Sequence, residues 1–166
     1  MEINNLIMTF TKTDSRMQLR GKLDSLNAQI ILFQTNSQNH EYISDLEEVR
    51  EVIRILQRCE AAEEIFDGKL ILFGIDEDEI HKRSHNPVKF YGLGHILTHY
   101  EMKLEAAQIN FLRTLVRECE LISCRIFEND ELKISHILNR LSSALYILIY
   151  KYLPSNCDKE IKFSKK

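Results

Sequence analysis

The chain has 166 residues, of which 44% are hydrophobic and 28% charged, with 5 glycines and 2 prolines, so it has room for one domain with a sizeable core. Its 22 basic and 25 acidic residues leave a net charge of −3, which provides no basic excess for binding nucleic acid or an anionic membrane. No apolar run approaches the about 18 residues of a membrane span, and the 4 cysteines form no C-x-x-C pair, so we expect a soluble cytoplasmic protein with reduced thiols.

Apolar residues at helical spacing predict the first two helices. They recur in steps of three and four from Leu19 to Phe33, which predicts a helix over 17–35. The same spacing in a strongly charged background predicts a second helix over 43–66. The run KLILF at 69–73 resembles a strand, but no other segment of similar character could pair with it. We therefore interpret it as a buried helical or extended linker.

Proline and a capping residue then delimit a short third helix. Asp76 can cap a helix over 77–83, which must end before Pro87 because the residue preceding a proline is disfavoured in helical geometry. We expect residues 86–98 to be irregular.

Two long helices complete the predicted fold. Apolar residues mark one from Leu104 to Ile126 and another from Ile134 to Tyr152. The sequence thus predicts an all-α, five-helix bundle that forms a single domain over 1–155, followed by a charged, flexible tail over 156–166.

Four polar residues interrupt the fourth predicted helix. Asn110, Arg113, Arg117 and Glu120 lie within an arc of about 80° at 100° per residue. A solvated face with short-range ion pairs is the common explanation of such a stripe. However, this helix is apolar around much of its remaining circumference, which favours arginines that meet a buried partner or an anionic ligand.

Polar residues on two other helices could complete a phosphate site. Asp24 on the first helix could hold one arginine while the other binds phosphate, because a guanidinium suits both partners. Asn139 on the fifth helix, with Asn110, could orient a nucleotide.

Metal binding is the main alternative for the remaining polar residues. His81 and His85 are four residues apart, as are His95 and His99, but the glutamate of H-E-x-x-H is missing. An acidic run similar to that of magnesium-dependent helical nucleotide pyrophosphohydrolases lacks a matching second acidic helix. The run consists of Glu60, Glu63, Glu64 and Asp67. We therefore predict no metal site built from protein side chains.

Four segments together resemble a known family. They are LDSLNAQI at 23–30, EDEIHKRSHNP at 77–87, NFLRTLVRECE at 110–120 and LNRLSSALYIL at 138–148. In this order they resemble the cobalamin adenosyltransferases of the helical-bundle type, and most of all the ethanolamine-utilisation branch. The resemblance extends from about Lys12 to Leu153.

This resemblance implies a reaction as well as a fold. Family members transfer the 5′-deoxyadenosyl group of ATP to cob(I)alamin, giving adenosylcobalamin and triphosphate, with Mg²⁺ accompanying ATP. Reduced cobalt is the nucleophile, so no catalytic Ser, Cys or His is needed. The alternative is a non-catalytic bundle that binds corrinoid or nucleotide as a carrier or interaction module.

The resemblance also assigns roles to the stripe. It implies that Arg113 pairs with Asp24 of a neighbouring subunit in a homotrimer, and that Arg117 contacts the phosphates of ATP. Glu120 and Asn139 would lie beside the nucleotide. Implied partners are a corrinoid reductase and ethanolamine ammonia-lyase, and a bacterial microcompartment is an implied location.

Two further segments correspond to the family less closely. The T-x-T-G-D-x-G phosphate loop is represented by TKTDSR at 11–16, so Lys12 and Thr13 are expected to contact ATP without a glycine cradle. The His and Cys metal motif of ethanolamine-branch members is missing, so no bound iron or zinc is expected. In the loop KFYGLGH, Phe90, Tyr91 and His95 are the expected cobalamin contacts, with Phe90 or Tyr91 displacing the lower axial ligand.

Overall fold

The computed structural model describes residues 2–127 and 129–154, with side chains described from residue 15 onwards. An all-α fold is confirmed, with a small hairpin inserted. The helices are α1 Glu2–Thr35, α2 His40–Ala62, α3 Glu77–His85, α4 Pro87–Tyr91, α5 Leu104–Ile126 and α6 Ile134–Tyr152, and the strands are β1 Ile71–Leu72 and β2 Ile75–Asp76. The predicted tail at 156–166 lies outside the described residues, so the predicted division into domain and tail stays a prediction.

The two N-terminal helices differ from the prediction at their ends. The first begins at Glu2 rather than at residue 17, so the segment matched to the family's phosphate loop has a helical backbone. The second begins at His40, where Asn39 Oδ1 accepts a hydrogen bond from the amide of Tyr42 at 3.2 Å. It ends at Ala62 rather than at residue 66, because Glu63 adopts a left-handed conformation with φ of 57°.

The strand-like run at 69–73 does have a partner, so its interpretation as an unpaired linker was wrong. β1 pairs antiparallel with β2, with Leu72 opposite Ile75. Phe73 and Gly74 form the connection with φ of 55° and 75°, as a two-residue hairpin turn of type I′ requires. The partner strand is only two residues long and shows no alternation of its own, so periodicity could not reveal it.

Helices α3 and α4 fill the segment before the long loop. Asp76 caps α3 as predicted, since its Oδ1 accepts from the amide of Glu79 at 2.9 Å. The region predicted to be irregular contains α4, which adds a sixth helix to the five expected within the described chain. Pro87 stands at its first turn and Gly92 ends it with φ of 70°.

The core lies among the four long helices. α5 packs most extensively on α6, α1 packs on α5 and on α2, and α3 covers part of α6. Both long C-terminal helices begin and end where the apolar pattern predicted. Fully buried side chains include Leu19, Leu23, Leu26 and Ile30 of α1, Leu46, Ile53 and Leu56 of α2, Ile109, Leu112 and Val116 of α5, and Leu138, Leu141 and Leu145 of α6.

A buried polar contact joins α2 to the end of α6. Asp45 accepts hydrogen bonds from Lys151 Nζ at 2.7 Å and from the Tyr152 hydroxyl at 2.6 Å. Burial, together with Asp45, raises the pKa of Tyr152 above its ordinary value, so the hydroxyl stays a donor. Among the described helices, none is both long enough and apolar enough to span a membrane.

Candidate active site

The polar stripe of α5 forms two local contacts, one turn of helix apart. Arg113 donates from Nε and Nη2 to Asn110 Oδ1, at 3.2 and 3.1 Å. Arg117 donates from Nη1 to Glu120 Oε2 at 2.6 Å. The buried apolar residues occupy the adjacent face of α5. The stripe therefore lies at the edge of the core, where Glu120 is buried but the Arg117 side chain is 46% exposed.

Asn139 on α6 joins the second of these contacts. Its Nδ2 donates to Glu120 Oε1 at 2.9 Å, so the two carboxylate oxygens hold an arginine and an amide from different helices. Ser123 and Ser135, whose hydroxyls are 2.9 Å apart, join the ends of α5 and α6 on the same side of the bundle. The structure therefore brings together three of the predicted site residues, with Arg117 and Asn139 bonded to the buried carboxylate of Glu120.

Asp24 is not part of this group within the chain. It lies exposed on α1, where its Oδ1 accepts from Gln57 Nε2 of α2 at 2.6 Å. Together with Arg20 and Glu60 it lines a cleft of about 200 Å³ between the two helices. Since the hydrogen bonds of Arg113 go to Asn110, the predicted pair of Asp24 and Arg113 is not formed inside one chain.

The two N-terminal residues predicted to contact ATP lie in α1. Lys12 and Thr13 belong to its helical backbone, and their side chains lie outside the described residues. Amide groups in a helix interior are already bonded to carbonyls four residues back. The backbone of this segment therefore offers no phosphate cradle of the kind that a glycine-rich loop makes.

The predicted cobalamin residues lie in and after α4. Phe90 is half-buried among cations, with Lys82 Nζ, the Arg83 guanidinium and Lys89 Nζ at 5.8, 5.5 and 5.7 Å from the ring centroid. Three cations thus lie close to the ring of Phe90, which, with Tyr91 as the alternative, was expected on the lower face of the corrin.

Tyr91 and His95 instead contact α6. Tyr91 stacks on Tyr150 with ring centroids 4.5 Å apart, and His95 Nδ1 lies 2.9 Å from the Tyr146 hydroxyl. Burial raises the pKa values of Tyr91 and Tyr150, so both phenols stay protonated. Sequence reasoning missed Tyr146 and Tyr150, although their spacing of four residues places both on one face of α6.

The alternative metal ligands have other partners. His81 Nδ1 accepts from Arg140 Nη1 at 2.8 Å, and burial, Arg140 and His85 lower the pKa of His81. Glu60 and Glu63 of the acidic run are bonded to Arg16. Across the described part of the chain, no group of three or more His, Cys, Asp or Glu side chains is arranged to hold a metal ion.

This chain is similar to known proteins in sequence and in fold. The family model described as Cobalamin adenosyltransferase matches residues 6–152. Corrinoid adenosyltransferase EutT of Salmonella typhimurium is 30% identical over 143 residues, which are 83% of this chain and 53% of that protein. The EutT of Escherichia coli is 28% identical over the same length and shares. The chain therefore spans about half the length of the curated relatives that it matches.

A solved structure shares the fold. It is a variant of the PduO-type ATP:corrinoid adenosyltransferase from Lactobacillus reuteri, complexed with cobalamin and ATP. It matches with a TM-score of 0.62 and 18% sequence identity, over 87% of this chain and 86% of that one.

Proposed function

The chain belongs to the cobalamin adenosyltransferase family, and on that premise we propose that it transfers the 5′-deoxyadenosyl group of ATP to cob(I)alamin. The observation that carries this proposal is the group formed by Arg117, Glu120 and Asn139 across α5 and α6. A buried carboxylate fixes one cation and one amide, and the cation remains half exposed. This arrangement suits an oriented polyanion such as the triphosphate of ATP.

The reaction makes few chemical demands on the protein. A bond forms between cobalt and C5′ of the ribose, and the bond from C5′ to the α-phosphate oxygen breaks with its electron pair, releasing triphosphate. The protein must hold C5′ over the cobalt and stabilise the charge that grows on the leaving triphosphate. We expect Arg117 to take the second task, since one amino group is bonded to Glu120 and the guanidinium is about half exposed.

Asn139 is the residue of this group that suits Mg²⁺. Its Nδ2 is committed to Glu120, which leaves Oδ1 as an amide oxygen of the kind that Mg²⁺ accepts beside phosphate oxygens. When bound, Mg²⁺ would neutralise part of the phosphate charge. The side chains of this chain would meanwhile hold the nucleotide in place.

The segment from Phe90 to His95, which comprises the end of α4 and the start of the loop after it, is the proposed cobalamin end of the site. Tyr91 and His95 are held on α6 by Tyr150 and Tyr146, so that surface offers both aromatic faces and polar groups. The proposed partners are a corrinoid reductase that supplies cob(I)alamin and ethanolamine ammonia-lyase, which consumes adenosylcobalamin. The proposed location is the cytoplasm, in association with a microcompartment.

Arg117→Ala tests the proposal with one assay. Protein, ATP, Mg²⁺ and chemically reduced cobalamin are mixed, and the absorbance change to adenosylcobalamin is followed. We expect the wild-type chain to give adenosylcobalamin, and Arg117→Ala to lower kcat about 100-fold, the usual loss when one transition-state charge donor is removed. Arg125→Ala removes an exposed arginine from the last turn of the same helix and serves as the control.

The same assay separates enzyme from binding module. A wild-type chain that binds ATP or cobalamin without forming adenosylcobalamin would favour the non-catalytic alternative. The helical backbone at Lys12 and Thr13 is the feature that agrees with that alternative. Equal rates for Arg117→Ala and Arg125→Ala would remove Arg117 from the site.

A homotrimer is the second part of the proposal, with Asp24 of one subunit meeting Arg113 of the next. Within the chain, Arg113 is bonded to an amide and Asp24 is exposed with a glutamine partner. Met17 and Ile31 lie seven residues before and after Asp24, so the same face of α1 also exposes large apolar side chains.

A charge exchange tests this pairing. Asp24→Arg and Arg113→Asp should each weaken assembly at least tenfold, because like charges then face each other across the contact. Carrying both substitutions restores opposite charges and should recover the trimer in sedimentation experiments. A wild-type chain that is monomeric at micromolar concentration with full activity would contradict the proposal, and so would a double variant no better than either single one.

A further inference from the structure

A chain of hydrogen bonds joins the loop after α4 to two tyrosines of α6. The Tyr150 hydroxyl donates to the carbonyl of Gly94 at 2.8 Å, and the Tyr146 and Tyr150 hydroxyls are 3.0 Å apart. His95 Nδ1 lies 2.9 Å from the Tyr146 oxygen, and the amide of Ile96 points to the same oxygen at 3.4 Å. His95 is exposed, whereas Tyr150 is buried.

The direction of every bond in this chain is fixed by one carbonyl. Gly94 O can only accept, so the single hydrogen of Tyr150 is used there. Tyr146 must then supply the hydrogen between the two phenols. With that hydrogen spent, the Tyr146 oxygen can only accept, and His95 must donate from Nδ1.

The donors and acceptors around the Tyr146 hydroxyl therefore determine the tautomer of the exposed His95. The Tyr146 oxygen accepts from His95 and Ile96 and donates to Tyr150, which uses both of its lone pairs and its one hydrogen. A neutral imidazole carries one hydrogen only, so His95 Nε2 is left with an open lone pair. Among the described residues, no group donates to that nitrogen.

We infer that the tyrosine pair fixes His95 as the Nδ1–H tautomer, so that its Nε2 accepts an N–H from a primary amide at the edge of the corrinoid. This inference rests on the proposed function, since the corrinoid is placed at this loop by that proposal. The rim of the corrin ring carries acetamide and propionamide side chains, whose N–H groups need acceptors when they leave water. His95 would thus be a positioning residue for the corrinoid.

Cobalt is the other group that such a nitrogen could bind. A histidine that donates its one N–H to a fixed acceptor and binds through its other ring nitrogen is the usual form of a metal ligand. However, cob(I)alamin is a square-planar d⁸ centre that must present a free axial electron pair to C5′. A nitrogen bound at the axial position opposes the formation of cob(I)alamin. An amide at the ring edge is therefore the ligand that agrees with the proposed reaction.

The tautomer can be measured on the ligand-free chain. Long-range ¹H–¹⁵N correlation spectra in mildly alkaline buffer distinguish protonated from unprotonated ring nitrogens, and the signals lost in His95→Gln assign the residue. We expect a protonated Nδ1 and an unprotonated Nε2 in the wild-type chain. Tyr150→Phe frees the hydrogen of Tyr146 for His95, so the tautomer should invert to Nε2–H, whereas Tyr100→Phe, at a tyrosine that is 94% exposed, should leave it unchanged.

Cobalamin binding tests the ligand. His95→Leu removes the acceptor, and we expect the Kd for cob(II)alamin to rise roughly fivefold, as for the loss of one neutral hydrogen bond. His95→Gln keeps a polar oxygen near the position of Nε2 and should bind within about twofold of wild type. In Tyr150→Phe, the inverted tautomer would direct an Nε2–H of His95 at the amide N–H of the corrinoid, so both groups would be donors. We therefore expect this variant to have a higher Kd for cob(II)alamin than His95→Gln.

Each half of the inference can be overturned separately. A wild-type His95 protonated at Nε2, or an unchanged tautomer in a folded Tyr150→Phe chain, overturns the assignment whatever the activity. Nitrogen hyperfine splitting in the cob(II)alamin EPR spectrum that disappears in His95→Gln overturns the amide as ligand in favour of cobalt. A wild-type chain that binds no cobalamin overturns the proposed function and the ligand together, while the measured tautomer stands by itself.

Discussion

Glu60 and Glu120 are both buried carboxylates on long helices, but they are neutralised differently. Glu60 lies between α1 and α2, where its two oxygens accept from Arg16 Nε at 2.7 Å and Arg20 Nε at 2.5 Å. Glu120 lies between α5 and α6, where one oxygen accepts from Arg117 and the other from the neutral amide of Asn139. Both oxygens of Glu60 are thus bonded to cations, whereas Glu120 positions one cation and one neutral amide.

The charge around each carboxylate shows what the difference means. Near Glu60, two arginines face three carboxylates, which leaves an excess of one negative charge; the carboxylates are Glu60, Glu63 and Asp24. Along the α5 stripe, Arg117 is paired with Glu120 while Arg113 contacts the neutral amide of Asn110, which leaves one positive charge. The excess positive charge supports the proposed binding of ATP at α5 and α6, and the proposed pairing of Asp24 with Arg113 in a trimer would join surfaces of opposite sign.

Glu60→Gln should produce the largest change in stability. Arg16 and Arg20 would lose their shared counter-ion, so we expect the free energy of unfolding to fall by about 2 kcal/mol, less than for a fully buried pair because Arg20 can reach water. Urea unfolding followed by circular dichroism measures it. Glu64→Gln removes an exposed carboxylate nearby and should have little effect. Equal stability of the two variants would show that the ion pairs of Glu60 with Arg16 and Arg20 do not stabilise the fold.

Glu120→Gln should affect activity more than stability. Arg117 would keep its charge but lose the carboxylate that orders it, so we expect adenosylation to slow about tenfold, equivalent to about 1.4 kcal/mol. Rates and unfolding curves measured on the same samples separate the two effects, with Glu131→Gln as the exposed control. If Glu120→Gln unfolded readily yet reacted at the wild-type rate per folded molecule, Glu120 would act on stability, as is expected of Glu60, and not on activity.

Apolar periodicity predicted the bounds of the helices whose apolar spacing is unbroken. It failed where the backbone conformation of single residues ends a helix or forms a turn. α5 and α6 have the predicted bounds because each carries a continuous apolar stripe between loop segments. α2 ends early at a left-handed Glu63, a backbone choice that spacing cannot reveal. The hairpin was missed because β2 is two residues long and its turn places Phe73 at positive φ, where glycine or asparagine is the usual signal.

Among the contacts of the candidate site, only the local one could be expected from the sequence. The contact of Arg117 with Glu120 follows from a spacing of three residues on one helix face. The contact of Glu120 with Asn139 depends on how α5 packs on α6, and the family resemblance implied only that both residues lie beside the nucleotide. The contacts of Tyr146 and Tyr150 with the loop join residues about fifty positions apart, so no local pattern could predict them.

Glu47 provides the smallest expected effect and tests whether exposure limits what a carboxylate contributes. It accepts hydrogen bonds from Arg50 and from Gln34 Nε2, and these lower its pKa from 4.5 to about 2. A carboxyl whose pKa is lower in the folded state stabilises the fold above its unfolded pKa, and this stabilisation is lost as the pH falls from about 4.5 towards 2. Since the side chain is 41% exposed, the contribution should stay below about 1 kcal/mol.

Unfolding free energies of wild type and Glu47→Gln, measured from pH 7 down to the acid limit of folding, check this expectation. The wild-type chain should be the more stable at pH 7, and the difference should shrink across the window in which Glu47 of the unfolded chain becomes protonated. Glu51→Gln removes another carboxylate that contacts Arg50, at 3.5 Å, and controls for the general loss of negative charge. If the difference in unfolding free energy between wild type and Glu47→Gln stays constant with pH, Glu47 stabilises the fold by packing and not by charge. If that difference is as large as the one expected for Glu60→Gln, exposure does not limit the contribution of a carboxylate in this bundle.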